Sequence, residues 1–249
     1  MAEFSKKCVI VIPARYASSR FPGKPLAILA GKPMIRHVWE KAAAAKSDLV
    51  LVATDDQRIA DAVNGFGGKA VMTSPDHASG TDRIAEAVAK ECPDAGIVIN
   101  VQGDEPLMPV EVIDALIDLM RNDSSCEMAT VAVPGDREKM TADNVKVVTD
   151  VKGNALYFSR AEIPFVRSGG VAAPIYLHWG IYAYRKDILD KFVTLPGGVL
   201  ENSEKLEQLR ALENGISIRV LFSKLESIGV DTPADLAAAE AKIREFQKR

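Results

Sequence analysis

Cysteine is scarce in this chain and badly placed for chemistry: Cys8, Cys92 and Cys126 are the three present in 249 residues. An odd number, wide spacing and the lack of any CxxC argue against a disulfide framework or a zinc site. Cys8 opens an apolar run, where a thiol serves as a small core residue and not as a nucleophile. Histidine is equally rare, and His37, His77 and His178 show no metal-ligand spacing. His37, inside a helical pattern, reads as structural. No apolar run approaches the length needed to cross a bilayer. The stretch Cys8–Ile12, behind Lys6 and Lys7, stops at Pro13 and is too short for a signal-peptide core. A cytoplasmic protein with no membrane partner is expected. A basic excess is also missing: the net charge is -3 and the pI about 5.7. That argues against nucleic acid as a partner but permits a local basic pocket for a small anion.

What is present is an ordinary globular composition, 47% hydrophobic and 26% charged. There is no low-complexity tract, internal repeat or flexible linker. The length allows one large α/β domain, whose core needs no disulfide or metal staple. Short β-branched runs alternate with amphipathic stretches. Strands are expected at Cys8–Ile12, Leu49–Ala53, Lys69–Met72 and Gly96–Val101, with helices at Pro33–Ala45, Asp56–Gly65, Thr81–Glu91 and Pro109–Arg121. Ser79 or Thr81 is available to cap the third helix. Continuous apolar strands separated by helices imply a mainly parallel sheet covered on both faces. Further strands are expected at Glu127–Val133, Val145–Asp150, Ala155–Ser159, His178–Tyr184 and Ile216–Phe222, and helices at Ser203–Asn214 and Pro233–Phe246. The Gly- and Pro-rich stretch Pro164–Pro174 reads as an excursion from a mixed sheet. The whole is a single domain, 1–249, with an inserted subregion.

In parallel sheets ligands bind beyond the carboxyl ends of the strands, so the segments after Ile12, Ala53 and Val101 are where chemistry is sought. The first is Pro13–Lys24, PARYASSRFPGK, with Arg15, Arg20 and Lys24 as three cations and Ser18, Ser19 and Gly23 letting donors approach closely. Arginine forks onto phosphate oxygens and lysine supplies a compact charge, which is what a triphosphate needs. Neither GxGxxG nor GxxxxGK[ST] occurs, so dinucleotide and P-loop fingerprints are missing. After the second strand, Asp56 reads as a helix cap, while Ala53 and Thr54 stand where a base or ribose could be met. After the fourth, Asp104 in NVQGDEP is placed either to hold Mg²⁺ against phosphates or to make a turn. Asp231, before Thr-Pro, is a helix cap or a second metal ligand.

Together these segments resemble one family, the 3-deoxy-manno-octulosonate (KDO) cytidylyltransferases. The likeness rests on IPARYASSRFPGKPL, VATDD, SGTDR, NVQGDEP, ALYFSRAEIP, HWGIYAYR, EKLEQLRALENG and GVDTP, and runs over nearly the whole chain. It implies a Rossmann-like nucleotide-diphospho-sugar transferase fold, a homodimer contacting through 155–184, and Mg²⁺-dependent transfer of CMP from CTP to the 2-hydroxyl of KDO. By the same resemblance Ala14, Arg15, Arg20, Lys24, Ala53, Thr54, Asp55, Gly80, Arg83 and Gln102 would bind the nucleotide. Arg15, Lys24 and Asp104 would be catalytic, and Asp104 and Asp231 would hold Mg²⁺. Gln102, Arg160, His178, Tyr182, Glu207 and Gln208 would bind the sugar acid, Arg160 meeting its carboxylate. An amino-substituted KDO or sialic acid is the alternative acceptor, and a non-catalytic sugar-nucleotide binder the alternative of another class.

Overall fold

A computed structural model describes residues 7–17, 21–225 and 227–247. In chain order the elements are β1 (Cys8–Ala14), β2 (Ile28–Leu29), β3 (Lys32–Pro33), α1 (Met34–Ala43), β4 (Leu49–Thr54), α2 (Gln57–Gly65) and β5 (Lys69–Met72). There follow α3 (Gly80–Glu91), β6 (Ile97–Asn100), α4 (Val110–Asn122), β7 (Met128–Pro134), β8 (Lys146–Thr149), β9 (Ala155–Ser159) and β10 (Tyr176–Arg185). The chain closes with α5 (Lys186–Phe192), α6 (Val199–Glu204), α7 (Gln208–Glu213), β11 (Ile218–Phe222) and α8 (Pro233–Gln247).

The main sheet runs β11-β7-β10-β6-β1-β4-β5. Strands β5, β4, β1 and β6 are mutually parallel, and β10 alone on this path runs against both of its neighbours, β6 and β7. The fold is thus the expected mixed, mainly parallel α/β sheet. Alternation along β1 shows why its sequence is apolar throughout. Val9 and Val11 face a layer with Ile84 and Val88 of α3, Phe192 of α5 and Leu209 of α7. Ile10 and Ile12 face Ile35 of α1, Ile59 of α2 and Ile113 and Leu116 of α4. Both faces are covered, so no position can be polar. Burial pushes the Cys8 thiol up to about 12, as suits a core residue.

Several boundaries differ from expectation for identifiable reasons. Pro13 does not end β1, which continues to Ala14 beside Thr54. The Val11 carbonyl accepts from the Val101 N–H, so alternation turns Pro13 toward the same side, where β6 has already ended at Asn100. A proline there forfeits no ladder bond. The helix expected over Ser203–Asn214 is two helices, because Lys205 takes a left-handed conformation (φ 54°). The break sends Leu206 and Leu209 into the core and releases the Glu204 carbonyl from helical bonding. Helix α5 and the β2–β3 hairpin were not legible as patterns. Of the interval 155–184, the stretch between β9 and β10 stands off the sheet, while β10 lies in its middle.

Ser79 caps α3 through a capping box with Asp82, their side chains each accepting from the other's backbone N–H. Ser79→Ala is expected to lower stability by about 1 kcal/mol, read as a shift of the urea midpoint at unchanged slope.

Candidate active site

The carboxyl ends of β1, β4 and β6 lie along one edge, and a cavity of about 290 Å³ opens there. Its floor is Pro13, Ala14 and Arg15 from the end of β1, and one wall is Gln102, Gly103 and Asp104 from the turn after β6. A Cβ on Gly103 would meet the Pro13 carbonyl oxygen at 2.7 Å, so only glycine lets the two strand ends close up this tightly. The facing wall is His77–Gly80 at the N-terminus of α3, with Arg83 one turn on. Backbone N–H groups and the positive end of the helix dipole therefore look toward an anion.

Lys24 completes the cavity. Gly23 turns the chain with φ 71°, and its N–H donates to the Tyr16 carbonyl at 2.9 Å, closing the loop at its base. Arg20, Ser18 and Ser19 lie outside the described residues. The Lys24 ammonium reaches Asp104 Oδ2 at 2.9 Å and Asp231 Oδ1 at 3.2 Å. Asp231, by its sequence either a helix cap or a metal ligand, is seen here in an ion pair with Lys24. The α8 capping bonds belong to Thr232, whose hydroxyl accepts from the Asp235 N–H, while the Asp235 carboxylate takes the N–H groups of Asp231 and Thr232. The Asp231 carboxylate is turned instead to Lys24. Asp104 is held from the same loop, its carbonyl accepting from Val230 N–H at 2.8 Å.

Arg83 is buried, with Nη2 on Asp55 at 2.9 Å and Nη1 on Thr73 Oγ1 at 2.5 Å. Asp56 caps α2, as expected, accepting from the Arg58 N–H. Ala53 and Thr54 are fully buried and sit behind the cavity wall, not in it. Thr54 bonds internally, its carbonyl accepting from Thr73. His77, for which the sequence offered no role, donates to Glu86, which also accepts from Ser74 N–H and Lys90. Burial opposes ionisation of Glu86, yet these donors outweigh it and hold its carboxyl down at about 2. The loop that walls the cavity is fastened to α3 in this way. His37, expected to be structural, contacts the Leu29 carbonyl.

The five other residues expected to meet the acceptor do not line this cavity. Gly180, in the β10 bulge between Trp179 and Tyr182, sits against Gln102. A second cavity, of about 620 Å³, is walled by His178, Trp179, Gly180, Asn144, Lys224 and Ser227. Thr130 pins the bulge by donating to the Ile181 carbonyl at 2.8 Å, and its oxygen meets His178 Nε2 at 3.0 Å. Burial pushes the His178 imidazole down to about 3, so it is neutral and Nε2 carries the proton. Tyr182 stacks beside it with centroids 5.3 Å apart. Glu207 accepts from the Thr81 hydroxyl at 2.6 Å through Oε2. Its Oε1 and the Gln208 Nε2 are buried without a hydrogen bond among the described residues, a state that costs about 1–3 kcal/mol per group unless a polar ligand supplies partners. Arg160 holds the β9 end, donating from Nε to the Glu204 carbonyl at 2.8 Å.

A family model described as cytidylyltransferase matches residues 9–218. The chain belongs to that cytidylyltransferase family. It is 55% identical over 237 residues to the 3-deoxy-manno-octulosonate cytidylyltransferase of Syntrophobacter fumaroxidans, covering 93% of this chain and 95% of the relative. It is 52% identical over 242 residues to the 8-amino-3,8-dideoxy-manno-octulosonate cytidylyltransferase of Shewanella frigidimarina, covering 95% and 98%. Among solved structures, CMP:2-keto-3-deoxy-manno-octonic acid synthetase complexed with CTP superposes with a TM-score of 0.92 at 46% identity, covering 96% of this chain and 99% of that one. No helix among the described residues of this cytidylyltransferase is long and apolar enough to cross a membrane.

Glu105 was not anticipated as part of the site. It bonds Ser227 Oγ at 2.6 Å and Trp179 Nε1 at 3.3 Å, tying two walls of the second cavity to the strand turn that bears Asp104. Burial, aided by the negative charges of Asp104 and Asp231, pushes its carboxyl up to about 7 against the Ser227 and Trp179 hydrogen bonds. Between the ordinary value of 4.5 and about 7 the folded chain keeps a proton that the unfolded chain has lost, so stability falls as pH rises through that window. Glu105→Gln is expected to flatten this part of a stability–pH curve measured by chemical denaturation.

Proposed function

We propose that the chain transfers CMP from CTP to the anomeric 2-hydroxyl of KDO, releasing pyrophosphate and activating the sugar for lipopolysaccharide synthesis in the cytoplasm. The observation that carries this reading is the meeting of Lys24, Asp104 and Asp231 at the mouth of an anion-facing cavity walled by Arg15, Gly80, Arg83 and Gln102. The sugar hydroxyl attacks the α-phosphorus in line. The new O–P bond forms as the bond to the β-phosphate oxygen breaks, and the electron pair leaves with pyrophosphate. No covalent enzyme intermediate is required, and the protein's contribution is positioning and charge stabilisation. Arg15 and Lys24 offset the charge that moves onto pyrophosphate.

Mg²⁺ fits the carboxylate pair. It is bound by one or two carboxylates together with substrate phosphates, and Asp104 and Asp231 already converge on one cation, the Lys24 ammonium. When bound, the ion draws phosphate and hydroxyl together and lowers the hydroxyl's pKa. The acceptor site is formed by Arg160, His178, Tyr182, Glu207 and Gln208, with Gln102 between it and the nucleotide. The buried Glu207 Oε1 and Gln208 Nε2, which make no hydrogen bond among the described residues, support a hydroxyl-rich ligand here. The homodimer belongs to the same reading, with its contact in 155–184, where Phe165 and Val171 stand 83% and 95% exposed.

Two measurements test the reading. Pyrophosphate release from CTP is expected to be faster with KDO than with 8-amino-KDO or sialic acid by about tenfold or more, since unpaired polar groups penalise the wrong ligand. Preference for the amino sugar would move the chain to the activity of its Shewanella relative. Asp104→Asn is expected to reduce turnover by more than about 100-fold with the fold intact, because even outer-sphere changes at metal sites cost 10–100-fold. Near-normal turnover would refute the metal role.

A further inference from the structure

Lys146, the first residue of β8, is 1% exposed, and its ammonium has no carboxylate ion-pair partner among the described residues. It donates to three backbone carbonyls: Asn144 at 2.6 Å, Thr141 at 3.0 Å and Arg160 at 2.5 Å. Burying a lysine is costly unless every donor is used, and here all three donors are used. An ammonium kept here therefore does something a methionine would not. Its three acceptors join the loop before β8 to the residue that ends β9.

That residue, Arg160, is held from every side but one. Its N–H donates to Glu204 Oε2 at 2.9 Å, and its Nε to the Glu204 carbonyl at 2.8 Å. Its Nη1 donates to the Ala142 carbonyl at 3.2 Å, in the same loop that Lys146 fastens. Glu204 is fixed in turn by the Ser159 hydroxyl at 2.6 Å. The Nη2 edge has no hydrogen-bond partner among the described residues. The Val145 carbonyl, next along the chain, accepts from His178 N–H at 2.8 Å. The start of β8 thus fixes the backbone of two residues of the acceptor site.

We propose that Lys146 and Glu204 form a clamp that aims the Arg160 guanidinium at the carboxylate of the acceptor. Lys146 is a positioning residue: it touches no substrate and acts through the Arg160 backbone, while Glu204 fixes the other side of the same peptide and the side chain. The inference rests on the assignment of Arg160 to the acceptor site.

The test is steady-state kinetics of Lys146→Met and Glu204→Gln, with Arg160→Lys in parallel, each with its melting temperature. The clamp predicts that Lys146→Met raises the KM for KDO by roughly 10- to 100-fold, the scale of a displaced positioning group, while the KM for CTP stays within about twofold. A purely structural lysine would lower the melting temperature and the active fraction and leave the KM for KDO unchanged, and that result overturns the proposal. If Lys146→Met does not fold, Glu204→Gln decides: a raised KM for KDO alone supports the clamp and an unchanged one overturns it. Arg160→Lys separates the two levels. An unchanged KM for KDO in that variant removes Arg160 from the acceptor site, whereas a raised KM there with wild-type behaviour in both clamp variants sinks the clamp only.

Discussion

Two carboxylates far apart in the chain converge on a single ammonium, and the site depends on that meeting. Asp104 and Asp231 repel one another, and Lys24 between them offsets the repulsion. The three residues come from the loop after β1, the turn after β6 and the segment leading into α8. The ion pairs therefore join elements separated by most of the sequence. Before any ligand arrives they hold one cation and two carboxylates together at the edge of the cavity.

The backbone makes that convergence possible at little cost. Parallel strands β1, β4 and β6 end at one edge, Gly103 lets the β6 turn lie against Pro13, and Val230 pairs with the Asp104 carbonyl. The capping of α8 by Thr232 and Asp235 leaves Asp231 to face the cavity. Glu105 then links this charged centre to the β10 bulge through Trp179, so the nucleotide half and the acceptor half share a wall.

The acceptor half is built by different means. Where the nucleotide half gathers loops at strand ends, the acceptor half relies on groups kept in fixed states by burial. His178 is held neutral, Tyr182 is pushed well above its ordinary pKa by burial, and Arg160 is braced by carbonyls and by Glu204. Lys146 belongs to this second set. Its own pKa is drawn down by burial, with the nearby Glu204 acting the other way.

The loop from Pro13 to Lys24 was readable as a phosphate-binding segment because its chemistry is local: a strand end, three cations, and a glycine where the chain must turn. The alternating apolar runs gave the sheet and its covered faces for the same reason, since periodicity and burial are properties of neighbouring residues. Asp231 was ambiguous in the sequence because cap and ligand look alike until the chain shows which residue caps α8. Glu207, Gln208 and Tyr182 were ordinary helix and strand residues as a local pattern, and only the family resemblance marked them. Ala53 and Thr54 were judged by their place at a strand tip; both are buried, and the Thr54 carbonyl accepts from Thr73. The left-handed turn at Lys205 and the burial of Lys146 left no local signal at all. By itself the sequence determined the α/β architecture, because short-range patterns encode it. The pairing of Lys24 with both aspartates, the unpartnered atoms of the acceptor site and the bracing of Arg160 were decided by tertiary structure, because each depends on contacts between residues distant in the chain.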